Sequence, residues 1–285
     1  LVAPIDELAQ KLVNYQRNAG RSEFAPFDEA LSRAEANVLQ RFFIQLERQT
    51  GVDFTQYKRS TILRRLQRRM QVHQTNSLNT YLGQLRTDEE ESRALFKDLL
   101  ISVTNFFRDA EAWQVLTQKV IPALFDRVDT DNQIRVWVPG CATGEEAYSL
   151  AILLLEEAER RRVQPDLQVF ATDLNSDVLS FARRGLYPEA IAADVTSERL
   201  QRFFEREGKA YRVRPRLQEM VLFTPHNLIK DAPFAHLALI SCRNLLMYLE
   251  RNIQQSVFQI CHFALDKGGY LFLGGSESAE QAETL

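Results

Sequence analysis

Between Ile134 and Leu273 short β-rich runs alternate with helical stretches, and few folds accept that alternation. Ile134–Val138, Leu167–Thr172, Val221–Thr224, Leu237–Ser241 and Tyr270–Leu273 read as strands. Helices are predicted over Ala147–Arg161, Ser176–Arg184 and Glu250–Leu265, the last ending at Lys267-Gly268-Gly269. Parallel strands need a crossover between them, usually a helix, so the expected class is α/β with a doubly wound sheet. Phe203–Thr224 breaks the rhythm by setting Gly208-Lys209 between polar and β-prone runs. It is expected to hold a small antiparallel β insertion at about 203–224.

Upstream, residues 34–101 read as a small all-helical domain. Val38, Leu39, Phe42, Phe43 and Leu46 recur at helical spacing, with breaks at Thr50-Gly51 and His73–Ser77. A further helical run, Ile5–Tyr15, ends at Asn18-Ala19-Gly20, and the stretch around Pro26 up to residue 33 reads as linker.

The totals bound the function. A hydrophobic share of 45%, a charged share of 26% and a net charge of -3 suit an ordinary globular chain with no general pull toward nucleic acid. No stretch reaches the roughly 20 apolar residues of a membrane helix, and no signal peptide opens the text. The three cysteines are too few and scattered for a disulfide framework or zinc site. Reduced thiols, a cytoplasmic location, no direct membrane insertion and no nucleic-acid partner are therefore expected.

The sharpest motif lies where the first strand hands over to the first helix, the ligand crevice of a doubly wound sheet. There Gly140 and Gly144 allow a close backbone approach, and Glu145 and Glu146 open the helix. A pyrophosphate would be repelled by the two glutamates, whereas S-adenosylmethionine offers a sulfonium and an ammonium and carries no phosphate. Glutamates at a helix N-terminus are also favoured by the helix dipole alone. Asp173, at the tip of the second strand, can accept hydrogen bonds from ribose hydroxyls or simply cap the next helix. Asn227 and Asn244 follow the third and fourth strands on the same edge, where asparagine can read an adenine or an amino-acid end.

Lys58, Arg59, Arg64, Arg65, Arg68 and Arg69 fall within twelve residues that contain no acid. At helical spacing 58, 62, 65 and 69 share one face, while Ile62, Leu63, Leu66 and Met70 supply packing. A solvated face, a nucleic-acid grip and a partner-docking surface all have this appearance. Against the second, no aromatic residues interleave and the overall charge is negative.

Several runs together resemble the CheR family of chemoreceptor glutamate O-methyltransferases. They are Ser102 to Asp109, Gly140 to Glu146, Ala171 to Asp173, Asn227-Leu228, Cys242 to Tyr248, and Gly268-Gly269 with Ser276 to Ser278. The likeness spans roughly residues 34 to 285 and is greatest to the version fused behind a CheB-type methylesterase. It implies a class I S-adenosylmethionine-dependent methyltransferase domain over 113–285, a substrate-docking domain over 34–101 and a cofactor-covering linker over 102–112. The first 33 residues would be an extension and linker, their start resembling the tail of such a methylesterase.

By the same resemblance Ser102, Thr104, Arg108, Gly140, Glu145, Glu146, Asp173, Asn227, Leu228, Arg243 and Asn244 hold the cofactor, whose product is S-adenosylhomocysteine. Arg108 and Tyr248 lie nearest the reacting methyl. Lys58, Arg59, Arg65, Arg68 and Arg69 dock the acidic helical region of a receptor. Fused or associated methylesterase and kinase signalling domains are further implied partners. Position 102 is serine where relatives can carry asparagine, and the text stops before the closing strand pair of this fold. The short turn Arg206 to Ala210 is more like members that need no receptor tether.

The chemistry asks little of the protein. A glutamate carboxylate is ionised near neutral pH, so alignment and exclusion of water replace a general base. Two other readings stand beside this one: a cofactor-binding regulatory module with little or no transfer activity, and a methyltransferase for another substrate.

Overall fold

The computed structural model describes residues 33–75, 77–127 and 133–279, so the expected helix Ile5–Tyr15 and its linker lie outside the described residues. The chain forms two compact units, the first ending at Leu95 and the second beginning at Phe96.

In the first unit α1 (Arg33–Thr50) stops where Gly51 takes a left-handed φ of 73°. The Asp53 carboxylate then accepts from the Thr55 N–H at 2.9 Å and starts a short 3₁₀ turn around the buried Phe54. Helix α2 (Arg59–Val72) buries Ile62, Leu63, Leu66 and Met70. Ser77 caps α3 (Leu78–Leu85), and the Asp88 carboxylate accepts from the Glu91 N–H at 2.9 Å in the first turn of α4 (Glu89–Leu99).

Glu91 is buried and gathers three partners. Arg69 donates to both its oxygens, His73 Nε2 donates at 2.6 Å and the Tyr81 hydroxyl at 2.5 Å. Burial opposes ionisation of Glu91, but these hydrogen bonds outweigh it and hold the carboxyl below its ordinary range. The face anticipated over 58, 62, 65 and 69 is corrected by this packing. Ile62 points into the core, Arg65 is half-buried and Arg69 is tied to Glu91, whereas Arg59, Arg64 and Arg68 are exposed.

In the second unit α5 (Ala110–Val115) passes through a π-helical turn, Leu116–Val120, into α6 (Ile121–Asp126). Then follow β1 (Gln133–Pro139), α7 (Glu145–Arg161), β2 (Asp166–Asp173) and α8 (Ser176–Arg184). After β3 (Leu186–Pro188) come α9 (Ser197–Phe203), β4 (Phe204–Glu207), β5 (Ala210–Val213) and α10 (Pro215–Glu219). The unit closes with β6 (Val221–Pro225), β7 (Leu237–Cys242), α11 (Arg251–Ala264) and β8 (Leu265–Leu273).

Five strands make one sheet in the order β6-β2-β1-β7-β8, every neighbouring pair parallel. The chain winds outward from β1 to β6 and then crosses to β7, which puts the topological switch between β1 and β7. Val136, Val138, Val169, Ala171 and Leu239 are buried in the strands, and α7 buries Ala147, Tyr148, Leu150, Ala151 and Leu154 against them. Strands covered on both faces read as continuous apolar runs, which is why they show in the sequence.

Two elements differ from expectation. The last helix ends at Ala264, within a residue of expectation, but the last strand begins at Leu265 rather than Tyr270. Leu265 pairs with Leu237, the register shifts, and pairing resumes at Tyr270 with Leu239. Gly268, at a φ of 76°, lies in the irregular stretch, where the Arg127 guanidinium donates to the carbonyls of Lys267 and Gly268. The antiparallel sheet, ordered β3-β5-β4, takes one strand from Leu186–Pro188, upstream of the hairpin around Gly208-Lys209. No helix among the described residues is long and apolar enough to cross a membrane.

Candidate active site

All five parallel strands end on one edge, and the loops leaving that edge carry the residues singled out in the sequence. After β1 the chain turns through Gly140 (φ 68°), Ala142 (φ 48°) and Gly144 (φ 94°). The Cys141 N–H donates to the Thr172 carbonyl at 2.9 Å, which stitches the turn to β2. From the antiparallel sheet, the Tyr187 hydroxyl donates to the Thr143 carbonyl at 2.6 Å and buttresses it from behind.

Asp173 joins the turn to the next helix. One carboxylate oxygen accepts from the Ala142 N–H at 3.0 Å and the other from the Asn175 N–H at 2.8 Å. Burial pushes its pKa up, against the pull of these backbone donors. Glu145 accepts from the Thr143 hydroxyl at 2.6 Å and is also raised, chiefly by burial. Glu146 accepts from the Ser241 hydroxyl at 2.7 Å and lies 3.5 Å from Arg243. Burial pushes it up to about 7, with Arg243 the main opposing influence.

Arg243 is the strut of the site. Its side chain is fully buried, and Nη2 donates to the Arg108 carbonyl at 3.0 Å and the Asp109 carboxylate at 2.8 Å. The guanidinium lies over the rings of Phe272 and Trp113, at 4.6 Å and 5.6 Å from their centroids. Nε and Nη1 are buried and find no hydrogen-bond partner among the described residues.

The segment before α5 is held just as closely. Phe106 is buried edge-on against Tyr187 and Phe204, and the Phe107 N–H donates to the Ser149 hydroxyl at 3.1 Å. Arg199 lies 4.3 Å over the Phe107 ring while forking onto Glu156. Phe107 and Asp109 both adopt left-handed backbone, at φ 49° and 63°, so Arg108 stands between two strained neighbours. Its Nη1 donates to the Val103 carbonyl at 3.1 Å. The Ser102 hydroxyl turns back onto the Leu100 carbonyl at 2.8 Å, and Thr104 is half-buried on the same stretch.

Asn227 shapes the loop after β6. Its side-chain oxygen accepts from the N–H groups of Ile229 and Lys230, and its own N–H donates to Asp231 at 2.7 Å. The preceding His226 N–H donates to the Asp173 carbonyl at 3.2 Å, which ties this loop, with the half-buried Leu228, to the tip of β2. After β7, Asn244 takes a φ of 56° and leads into the single turn Leu246–Tyr248. Glu277, in the run Ser276 to Ser278, carries no role legible in the sequence. Its carboxylate accepts from the backbone of that loop.

S-adenosylmethionine fits what is present. Glu145 and Glu146 offer carboxylates suited to a cationic ligand, Asp173 offers acceptors suited to ribose hydroxyls, and the buried Arg243 Nε has no hydrogen-bond partner among the described residues. A phosphate would meet three carboxylates instead.

The family model for the CheR methyltransferase SAM binding domain matches residues 102–285, and that for the CheR methyltransferase all-alpha domain matches residues 37–100. An uncharacterized 104.1 kDa protein of Rhodobacter capsulatus is 41% identical over 90% of this chain, which spans only 27% of that protein. Chemotaxis protein methyltransferase 1 of Pseudomonas aeruginosa is 30% identical over 87% of this chain and 92% of its own length. The chemotaxis protein methyltransferase of Listeria innocua is 30% identical over 81% of this chain and 86% of its own. With both domain models matched in order and the cofactor turn intact, the chain belongs to the CheR family of S-adenosylmethionine-dependent methyltransferases.

Proposed function

We propose that this methyltransferase esterifies glutamate side chains in the cytoplasmic helical region of chemoreceptors, forming methyl esters in sensory adaptation. The observation that carries the reading is the chain of contacts Glu146–Arg243–Arg108. An acidic end suited to a cationic cofactor is joined, through a buried guanidinium, to the backbone of Arg108, whose side chain is a cation suited to a carboxylate substrate. The names of the Pseudomonas and Listeria relatives point the same way.

When bound, S-adenosylmethionine supplies a methyl group on a positively charged sulfur. The protein's task is then to align an already ionised carboxylate and exclude water. In this reading Arg108 holds the substrate carboxylate and the Tyr248 hydroxyl orients it. Ser102, Thr104, Arg108, Gly140, Glu145, Glu146, Asp173, Asn227, Leu228, Arg243 and Asn244 hold the cofactor, with residues 102–112 as its cover and 34–101 as the docking domain. The Rhodobacter relative carries its matching segment within a much longer chain, which is compatible with fused methylesterase and kinase signalling domains in a cytoplasmic protein but names none of them.

Labelled S-adenosylmethionine incubated with the protein and receptor fragments tests the proposal. Base-labile label on the fragment is expected; cofactor binding without transfer would favour a regulatory module instead. Docking is assigned to the exposed charges of α2, so replacing Arg64 and Arg68 together by Glu should lower kcat/KM for the fragment roughly tenfold while leaving S-adenosylhomocysteine affinity unchanged. Reversing Arg69 would instead break the Glu91 network and test stability.

Cofactor binding should also depend on pH. Burial pushes the Glu146 carboxyl up to about 7, and a cationic ligand prefers the ionised form. Affinity is expected to rise as pH climbs through that value and then level off, with protons released on binding near neutrality. Calorimetry in buffers of different ionisation heat measures that release; buffer-independent heats and a flat affinity would count against a cation seated at Glu146.

A further inference from the structure

Strand β8 ends at Leu273, and the chain then folds back so that the Glu277 N–H donates to the Gly274 carbonyl at 2.9 Å. This turn aims the Glu277 carboxylate at the loop leaving β7. Oε2 accepts from the N–H groups of Asn244 and Gly274, both at 2.8 Å. Oε1 accepts from Leu246 at 2.8 Å and from Met247 at 3.4 Å. Four backbone donors from two strand ends converge on one side chain, and only a carboxylate offers two oxygens with enough lone pairs to accept them all. An amide in its place would turn an NH₂ group against backbone N–H groups.

The neighbouring residues are cut to this contact. A Cβ added at Gly274 would stand 2.8 Å from Glu277 Oε2 and 3.0 Å from the Asn244 backbone nitrogen. Asn244 itself is left-handed, a conformation that costs an asparagine less than most residues but still needs holding. It directly follows Arg243, whose guanidinium grips the Arg108 carbonyl, and it precedes the turn carrying Tyr248. Glu277 holds the N–H groups of the loop between strut and hydroxyl, while Gln254 donates to the carbonyls of Leu246 and Leu249.

We propose that Glu277 is a positioning residue of the methyl-transfer site, whose carboxylate holds the Asn244–Tyr248 loop in one placement through its backbone N–H groups. The proposal rests on the reading that Asn244 serves the cofactor and Tyr248 the substrate. Glu277 acts through the loop, so its loss should disturb alignment more than receptor docking.

The test compares the wild-type chain with Glu277→Gln. Expected for the variant are a kcat lower by about 10- to 100-fold, weaker S-adenosylhomocysteine binding by calorimetry, and an unchanged KM for the receptor fragment. In the wild type, the amides of Asn244, Leu246 and Gly274 should exchange slowly with solvent, a measurement that does not depend on whether the variant folds. Wild-type kcat in a folded Glu277→Gln protein overturns the proposal, as does free exchange of those three amides in the wild type. A wild type that binds cofactor but never labels the fragment would instead defeat the functional reading.

Discussion

Replacing Arg108 with alanine is expected to lower methyl transfer by about 100-fold or more while leaving a folded protein that still binds S-adenosylhomocysteine. Its guanidinium donates to the Val103 carbonyl, and among the described residues no salt bridge ties it to an acid as Glu91 ties Arg69. The anchoring of the segment belongs to the backbone and to other side chains. Arg243 holds the Arg108 carbonyl, Ser149 holds the Phe107 N–H and Phe106 fills the core, none of which needs the Arg108 side chain. Strained φ values on both sides show that the local fold pays to set this one residue. Steady-state kinetics with labelled cofactor, beside a melting curve and binding calorimetry, check the expectation. Undiminished kcat in Arg108→Ala would remove the residue from the chemistry, and a collapsed melting temperature would make it structural.

What the sequence disclosed and what it hid separate along physical lines. The buried strands β1, β2 and β7 announced themselves because both faces are covered, leaving apolar runs between polar ends. The glycine turn was legible because Gly140 and Gly144 stand at a strand-to-helix junction, and the charge of Glu145 and Glu146 narrowed the ligand to a cation-bearing one. Strand β3 stayed hidden because three residues carry no periodicity and become a strand only by pairing with β5. The extent of β8 was misread for a related reason: Gly268-Gly269 resembles a helix stop, whereas pairing of Leu265 with Leu237 and the distant Arg127 guanidinium hold that stretch beside β7.

Roles that depend on a distant partner were the least legible. Helical spacing groups Arg69 with Arg65, but nothing local shows that Glu91 will claim it from another helix. Glu277 works entirely on backbone N–H groups, which have no residue identity to read, so its function needs the three-dimensional arrangement. Arg243 shows the intermediate case. Its place beside β7 was evident, whereas its joint hold on the Arg108 carbonyl and approach to Glu146 were not.

Gly144→Ala should be the most damaging single-methyl change in the cofactor turn, destabilising the second unit by on the order of 3 kcal/mol and weakening S-adenosylhomocysteine binding. Two effects coincide there. A φ of 94° strains any residue with a Cβ, and the added atom would lie 2.8 Å from the Ala182 Cβ and 3.0 Å from the Phe223 ring. Neither neighbour yields easily. Ala182 is a short side chain fixed to α8, its carbonyl held by the Tyr148 hydroxyl at 2.9 Å, and Phe223 is packed edge-on against Tyr148. The turn must therefore move, and Glu145 and Glu146, the next two residues, move with it. Gly208→Ala is the internal control: φ is 60° at the hairpin tip, and a Cβ there meets nothing within 4 Å. Strain alone should cost it about 1 kcal/mol, with cofactor affinity untouched. Denaturant melts of both variants separate the contributions, since strain is common to the pair and collision belongs to Gly144 alone. Equal destabilisation of the two would mean that the turn relaxes freely and that its tight packing against α8 and β6 does not set the geometry of the glutamate pair.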